Sequence, residues 1–225
     1  MRVLVLRPAG RADSLMRELR ARGLAPVHHP LVDFEHERLS LAADLAGGVY
    51  DWLVLTSVTT LGSLPVFTGV EQPFRVACVG PATARAAQEA GLRVDRVADG
   101  SGAALTQAFP PGPGRIVFPA SSEANPEHAA VLEHKGWSVD RIVAYRPVIR
   151  PLPPELVNQL RAGRFGAVIL TSPMMAREIL SLEPQAALIA IGEPTARAVR
   201  TGGRTCVVAA DTTDSALADA AQEVA

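Results

Sequence analysis

The chain has 225 residues, a net charge of -1 and a hydrophobic fraction of 48%. That composition supports one large core or two of roughly 100 residues each, and it excludes a disordered chain. Near-neutral charge argues against a nucleic-acid partner, which calls for a basic face, and no apolar run reaches the roughly 18 residues of a membrane span. Aromatic residues make up 4% of the chain, so its cores must be built from aliphatic side chains.

In chain order, residues 2–6 (RVLVL) predict a strand ending at Arg7-Pro8. A helix from about Asp13 to Arg22 follows, then a Gly23 stop and a second strand carrying His28 and His29. Residues 50–57 (YDWLVLTS) predict a strand ending in Thr56-Ser57. Residues 76–85 (VACVGPATAR) predict a strand, a Gly80 turn and a helix that Gly91 closes. Residues 110–114 (PPGPG) break the chain. Beyond them come a strand (RIVF), a helix from about Pro126 to His134, Gly136, and a strand through WSVDRIV toward Tyr145. Residues 147–154 (PVIRPLPP) predict a linker rather than helix or central strand. Residues 165–172 (FGAVILTS) and 188–197 (LIAIGEPTAR) then repeat the earlier strand-and-turn pairs, and Gly203 closes the last of these helices.

The chain therefore repeats itself. Thr56-Ser57 recurs as Thr171-Ser172, Gly80 as Gly192, and Gly23 as Gly136, at offsets of about 110 residues. The pattern is unit A, unit B, unit A, unit B. Strands alternating with helices predict parallel sheets covered on both faces, and unbroken apolar strands agree with that burial. Two flavodoxin-like α/β domains with parallel sheets are expected. The linker at 147–154 suggests that they are interleaved: first A with last B, first B with last A.

Several residues stand where ligands bind in open α/β sheets, at the carboxyl ends of strands. Ser57 and Ser172 precede helix starts. Each reads either as an N-cap or as part of an anion site formed by free N–H groups. Pro173 suits the first helical turn. Gly80 and Gly192 let a ligand approach the backbone, with Thr83 and Thr195 three residues inside. The alternative for these turns is tight strand-to-helix packing. Arg7 offers a bidentate fork for a carboxylate. Arg11, Arg85, Arg146, Arg177 and Arg197 are weaker basic candidates, read as solvated helix or loop charges. Tyr145 reads as a core tyrosine with its hydroxyl at an edge. No metal site is expected: His28 and His29 point to opposite faces, His128 and His134 are six apart, and the two cysteines, Cys78 and Cys206, lie in separate apolar runs. No nucleotide-binding glycine motif is present.

The strand ending in Arg7-Pro8, the paired Thr-Ser strand ends, the GxxTA turns at Gly80 and Gly192, and residues 136–148 (GWSVDRIVAYRPV) together resemble the uroporphyrinogen-III synthase family. The sequence departs from the common bacterial pattern at Thr56-Ser57-Val58-Thr59-Thr60, where an asparagine often follows the Thr-Ser, and at Pro119-Ala120-Ser121-Ser122. The resemblance implies one discontinuous domain of residues 1–33 and 150–225, a second of 38–142, and a two-stranded ladder at 34–37 and 143–149. It implies a cytoplasmic, cofactor-free enzyme that cyclises hydroxymethylbilane to uroporphyrinogen III, with inversion of ring D and loss of water. The implied substrate carries eight carboxylates. Tyr145 is the implied acid for the leaving hydroxyl, with Arg7, Ser57, Gly80, Thr83, Ser172, Pro173, Gly192 and Thr195 around the substrate. A monomer is expected, in transient contact with the enzyme that makes hydroxymethylbilane, with neither membrane nor nucleic acid as partner. The competing expectation is a non-catalytic two-domain binding or sensor protein for an anionic tetrapyrrole or another small molecule.

Overall fold

A computed structural model describes residues 1–67 and 71–225. The first segment forms β1 (Arg2–Val5), α1 (Asp13–Ala21), β2 (Ala25–His28) and β3 (Val32–His36). The middle forms α2 (Ala42–Ala46), β4 (Trp52–Leu55), a 3-10 helix (Val58–Ser63), β5 (Arg75–Cys78), α3 (Pro81–Glu89) and β6 (Arg96–Val97). It continues through α4 (Gly102–Gln107), β7 (Arg115–Ser121), α5 (Glu127–His134) and β8 (Ser138–Ile149). The last segment forms α6 (Pro154–Arg161), β9 (Ala167–Leu170), α7 (Pro173–Ser181), β10 (Ala187–Ala190), α8 (Glu193–Thr201), β11 (Val207–Val208) and α9 (Asp214–Glu223).

These elements make two compact units: Met1–Asp33 with Val148–Ala225, and Phe34–Pro147. In the first unit the sheet order is β2-β1-β9-β10-β11, and neighbouring strands pair in parallel. This is the flavodoxin order 2-1-3-4-5, whose order reverses between its first and third strands, here β1 and β9. Residues alternate between its two faces as the pleat requires. Val3, Val5, Ile169 and Ile189 pack under α1 and α9 through Leu15, Leu19 and Leu217. Leu4, Leu6, Val168 and Leu170 are buried too. A strand buried on both sides must be apolar throughout, which is why these runs show no polar alternation.

In the second unit the order is β3-β8-β7-β4-β5-β6. Without β3 this is the same order, with β7 and β8 in the places of β1 and β2, and the reversal falls between β7 and β4. Trp52 and Val54 face α4 and α5 through Leu105 and Leu132, while Leu53 and Leu55 face α3 through Ala84 and Ala87. The registers of the duplicate strands correspond as well: Arg2 lies beside Ala25 in one copy and Arg115 beside Ser138 in the other.

β8 extends further than the prolines at 147–154 predict, reaching Ile149. Its pairing with β7 stops at Tyr145, so Pro147 lies past the end of that ladder. A proline removes only its own N–H, and at this position no β7 partner awaits it. β3 covers the other edge. Glu37 N–H donates to Ala144 O and Arg150 N–H to Leu31 O, each at 2.8 Å, so the two strands run antiparallel.

The duplication also explains the aromatic residue that opens YDWLVLTS and FGAVILTS. The Arg115 guanidinium lies 5.2 Å from the Tyr50 ring centroid, and Arg2 lies 4.3 Å from Phe165. Each is a cation–π contact between the first residue of one strand and the approach to its neighbour.

Candidate functional site

In both units the candidate residues gather at the carboxyl edge of the sheet. Ser57 has extended backbone and caps the 3-10 helix, its hydroxyl accepting from Thr59 N–H at 3.2 Å. Ser172 caps α7 in the same way, accepting from Met175 N–H at 3.2 Å, with Pro173 in the first turn. Both serines thus fill the N-cap role. The copies then diverge. Val58, Thr59 and Thr60 are a β-branched run, a poor start for an α-helix, and Pro65 blocks its continuation. Residues 173–181 hold no β-branched run and form an α-helix of two and a half turns.

Gly80 and Gly192 are both extended and cap α3 and α8, so neither is required by its backbone angle. Their surroundings separate them. A Cβ on Gly80 would meet Gly100 Cα at 3.2 Å, whereas one on Gly192 would meet nothing within 4 Å. Gly80 serves close packing against a neighbouring loop. Gly192 leaves open space beside a helix start.

Thr83 and Thr195 are 4% and 2% exposed. Among the described residues neither hydroxyl has a protein hydrogen-bond partner, and neither is sealed from solvent. Each hydroxyl can therefore bond water or a ligand without breaking a protein contact. The same arrangement occurs at the same turn in both copies.

Arg7 is already engaged. Its guanidinium pairs with Asp214 in the first turn of α9 at 2.6 Å, and both side chains are largely buried. Its carbonyl accepts from His28 Nε2 at 2.8 Å. A carboxylate ligand would have to displace Asp214.

Tyr145 lies on β8, 8% exposed, where β7 ends. Phe34 of β3 meets its ring edge-on, with centroids 5.4 Å apart, and His36 lies tilted against it at 6.2 Å. The His36 ring is held in turn: Nδ1 bonds Ser63 Oγ at 3.1 Å, and Ser63 donates to the Ala144 carbonyl. The Tyr145 hydroxyl makes no hydrogen bond among the described residues. The tyrosine lines a pocket of about 240 Å³ with Thr56, Ser57, Gly102, Ser121, Asn125 and His128. Ser57 and Ser121 follow β4 and end β7, the two strands where the order of this sheet reverses. The structure therefore brings Tyr145 and Ser57 together within one unit, while Arg7, Ser172, Pro173, Gly192 and Thr195 belong to the other unit. Gly80 and Thr83 share the second unit but do not line this pocket.

Sequence reasoning missed Phe34, His36 and Ser63, which fix the Tyr145 ring from another strand and a turn. They carry no motif, and only the pairing of β3 with β8 reveals them. His128, rejected as a metal ligand, is a pocket wall above Gly102, whose added Cβ would lie 2.6 Å from its Nε2. Among the described residues no group of three His, Cys, Asp or Glu could hold a metal, and no helix is long and apolar enough to cross a membrane.

Comparison with known proteins bears on the same features. Residues 13–219 match the family described as uroporphyrinogen-III synthase HemD. A Methanothermobacter thermautotrophicus protein named "Putative uroporphyrinogen-III synthase" is 27% identical over 229 residues, covering 90% of each chain. Two solved structures are similar over essentially their whole length. Uroporphyrinogen-III synthetase from Helicobacter pylori has a TM-score of 0.71 at 17% identity, covering 100% of both chains. A mutant uroporphyrinogen III synthase from Thermus thermophilus has a TM-score of 0.61 at 19% identity, covering 100% of this chain and 98% of that one. At those identities the structures speak for the fold, and the family match carries the rest. Spanning both copies of the duplicated strand ends and turns, it places this chain in the uroporphyrinogen-III synthase family.

Proposed function

We propose that the strand-end loops of the two units hold the carboxylates of a linear tetrapyrrole and that Tyr145 gives a proton to its leaving hydroxyl. Membership of the family makes the protein a lyase of porphyrin biosynthesis, converting hydroxymethylbilane to uroporphyrinogen III. The reaction closes a chain that cyclises readily without help, so most of the task is geometric. The substituted carbon of ring D must be brought to the ring A methylene before the uninverted closure competes. Departure of that methylene's hydroxyl as water needs one proton. Tyr145 is the group chosen for it, because its ring is fixed and its hydroxyl is uncommitted. Thr195, Gly192, Ser172 and Pro173 on one unit, and Ser57 and Thr83 on the other, serve as carboxylate contacts, with Gly80 packing the turn that presents Thr83. Arg7 joins them if Asp214 yields.

The observation that carries this reading is a pair of largely buried threonines, Thr83 and Thr195, whose hydroxyls have no protein partner among the described residues yet stay open to solvent, repeated at equivalent turns in a chain of this family. Its test is isosteric. Thr195→Val and Thr83→Val keep the shape and remove the hydroxyl, so each should raise KM several-fold and leave thermal stability unchanged or higher. An unchanged KM in both would remove the threonines from the substrate site.

The protein is further proposed to act as a cytosolic monomer that meets the hydroxymethylbilane-producing enzyme transiently. Its cysteines support a reducing compartment: both are free thiols, and burial pushes the Cys78 thiol up to about 11. Sedimentation should give the 23.7 kDa mass of one chain.

A further inference from the structure

The largest pocket described in the first unit lies away from the reversal between β1 and β9. It is a groove of about 420 Å³ between α7 and α8, within the range of small-molecule sites. Pro173 and Pro194 border it at the helix starts, Leu180 and Ala198 supply apolar lining, and Arg177 and Arg197 supply its only charges. Among its lining residues there is no acidic side chain.

The two arginines occupy equivalent places. Each is five residues beyond its helix cap, Ser172 or Gly192. Helical side chains lean back toward the N-terminus, which carries both guanidinium groups toward the strand-end loops. Neither has a hydrogen-bond or ion-pair partner among the described residues. Arg17, Arg20, Arg38, Arg85 and Arg164 are also exposed and unpaired among the described residues, so what distinguishes Arg177 and Arg197 is that they line one pocket together. Arg115 pairs with Asp140, Arg146 with Glu37, Arg150 with Asp33 and Arg200 with Glu193, while Arg161 and Arg141 bond backbone carbonyls. The pairing of Arg200 with Glu193 also neutralises the acid nearest the start of α8. Duplication does not account for the groove, because the second unit has Arg85 in place of Arg197 but Gly62 in place of Arg177. Two adjacent unpaired guanidinium groups over an apolar floor match a carboxylate at the end of a short alkyl arm.

We propose that the α7–α8 groove is a carboxylate site in which Arg177 and Arg197 together hold one acidic side arm of the tetrapyrrole. The inference rests on the tetrapyrrole reading and extends it to residues outside the strand-end loops. Uroporphyrin III, a stable octacarboxylate, is the probe, titrated by fluorescence against the full chain. Arg177→Gln/Arg197→Gln should weaken its Kd about tenfold, or about 1.4 kcal/mol, and flatten the dependence of affinity on salt. Arg177→Lys/Arg197→Lys should recover part of the loss by restoring charge without the fork. Arg85→Gln, the matching helix position of the second unit, should bind like wild type. In turnover the double glutamine variant should raise KM by a similar factor with kcat within about twofold. An unchanged Kd and salt dependence overturns the groove, and so does an equal loss in Arg85→Gln, which marks general electrostatics. A double variant with unchanged KM, beside a wild type that makes isomer III, sinks the groove and leaves the family reaction intact. A wild type that makes only isomer I yet binds uroporphyrin through these arginines sinks the reaction and leaves the groove standing.

Discussion

Tyr145 combines a fixed ring with an uncommitted hydroxyl. Phe34 and His36 hold the ring from β3, and no protein group among the described residues takes the hydroxyl. Removing that hydroxyl should therefore cost little stability. Tyr145→Phe is expected to lower kcat several-fold or more while its melting temperature stays near that of wild type, and an unchanged kcat would return the tyrosine to a core role. His36→Ala should give a smaller loss in kcat by loosening the ring, and His36→Phe should restore most of it. Tyr145 itself is visible in the sequence as one of two tyrosines, placed by its strand and neighbouring proline. Its supports are not, because Phe34 and His36 lie more than 100 residues away in the chain and reach it only through strand pairing. The same limit applies to Arg7. Its position at a strand end can be read directly, but its partner Asp214 comes from the last helix.

At the level of elements, the repeated motifs are read correctly as strand ends and helix starts, yet identical motifs do different work. Gly80 and Gly192 look alike in sequence. One packs against Gly100 and the other borders empty space. Gly80→Ala should lose about 1–3 kcal/mol in denaturant unfolding, since its Cβ meets backbone. Gly192→Ala should keep its stability and weaken uroporphyrin binding. Equal stability losses at both would contradict the distinction. The Thr-Ser ends differ for a local reason: a β-branched run and Pro65 shorten one helix to a 3-10 segment, and proline followed by two methionines opens a full α-helix in the other. Of the linker predicted at 147–154, residues 147–149 end a long strand, 150–153 connect it to α6, and Pro154 opens that helix. Proline there is tolerated because β7 has already ended, a fact of pairing rather than of composition.

At the level of the whole molecule, one α/β sheet order is built twice from differently cut chain. The second unit is continuous and the first is assembled from both ends of the sequence. The parallel sheets follow from the alternating apolar runs and helices. Strand order does not, because sequence periodicity says which residues are buried and not which strand lies beside which. The cut has a measurable consequence. Residues 34–147 contain β4 to β8 and should unfold cooperatively as an isolated fragment. Residues 148–225 leave β9 without β1 and should remain unfolded until a peptide of residues 1–33 is added. Cooperative folding of 148–225 alone would contradict this assembly.

Ring closure of a tetrapyrrole is the reaction this duplicated scaffold directs by its family. It is tested most directly by generating hydroxymethylbilane enzymatically in the presence of the protein, oxidising the products and separating the porphyrin isomers. Predominantly isomer III, rising with protein concentration, is expected; isomer I alone at every concentration would rule out directed closure.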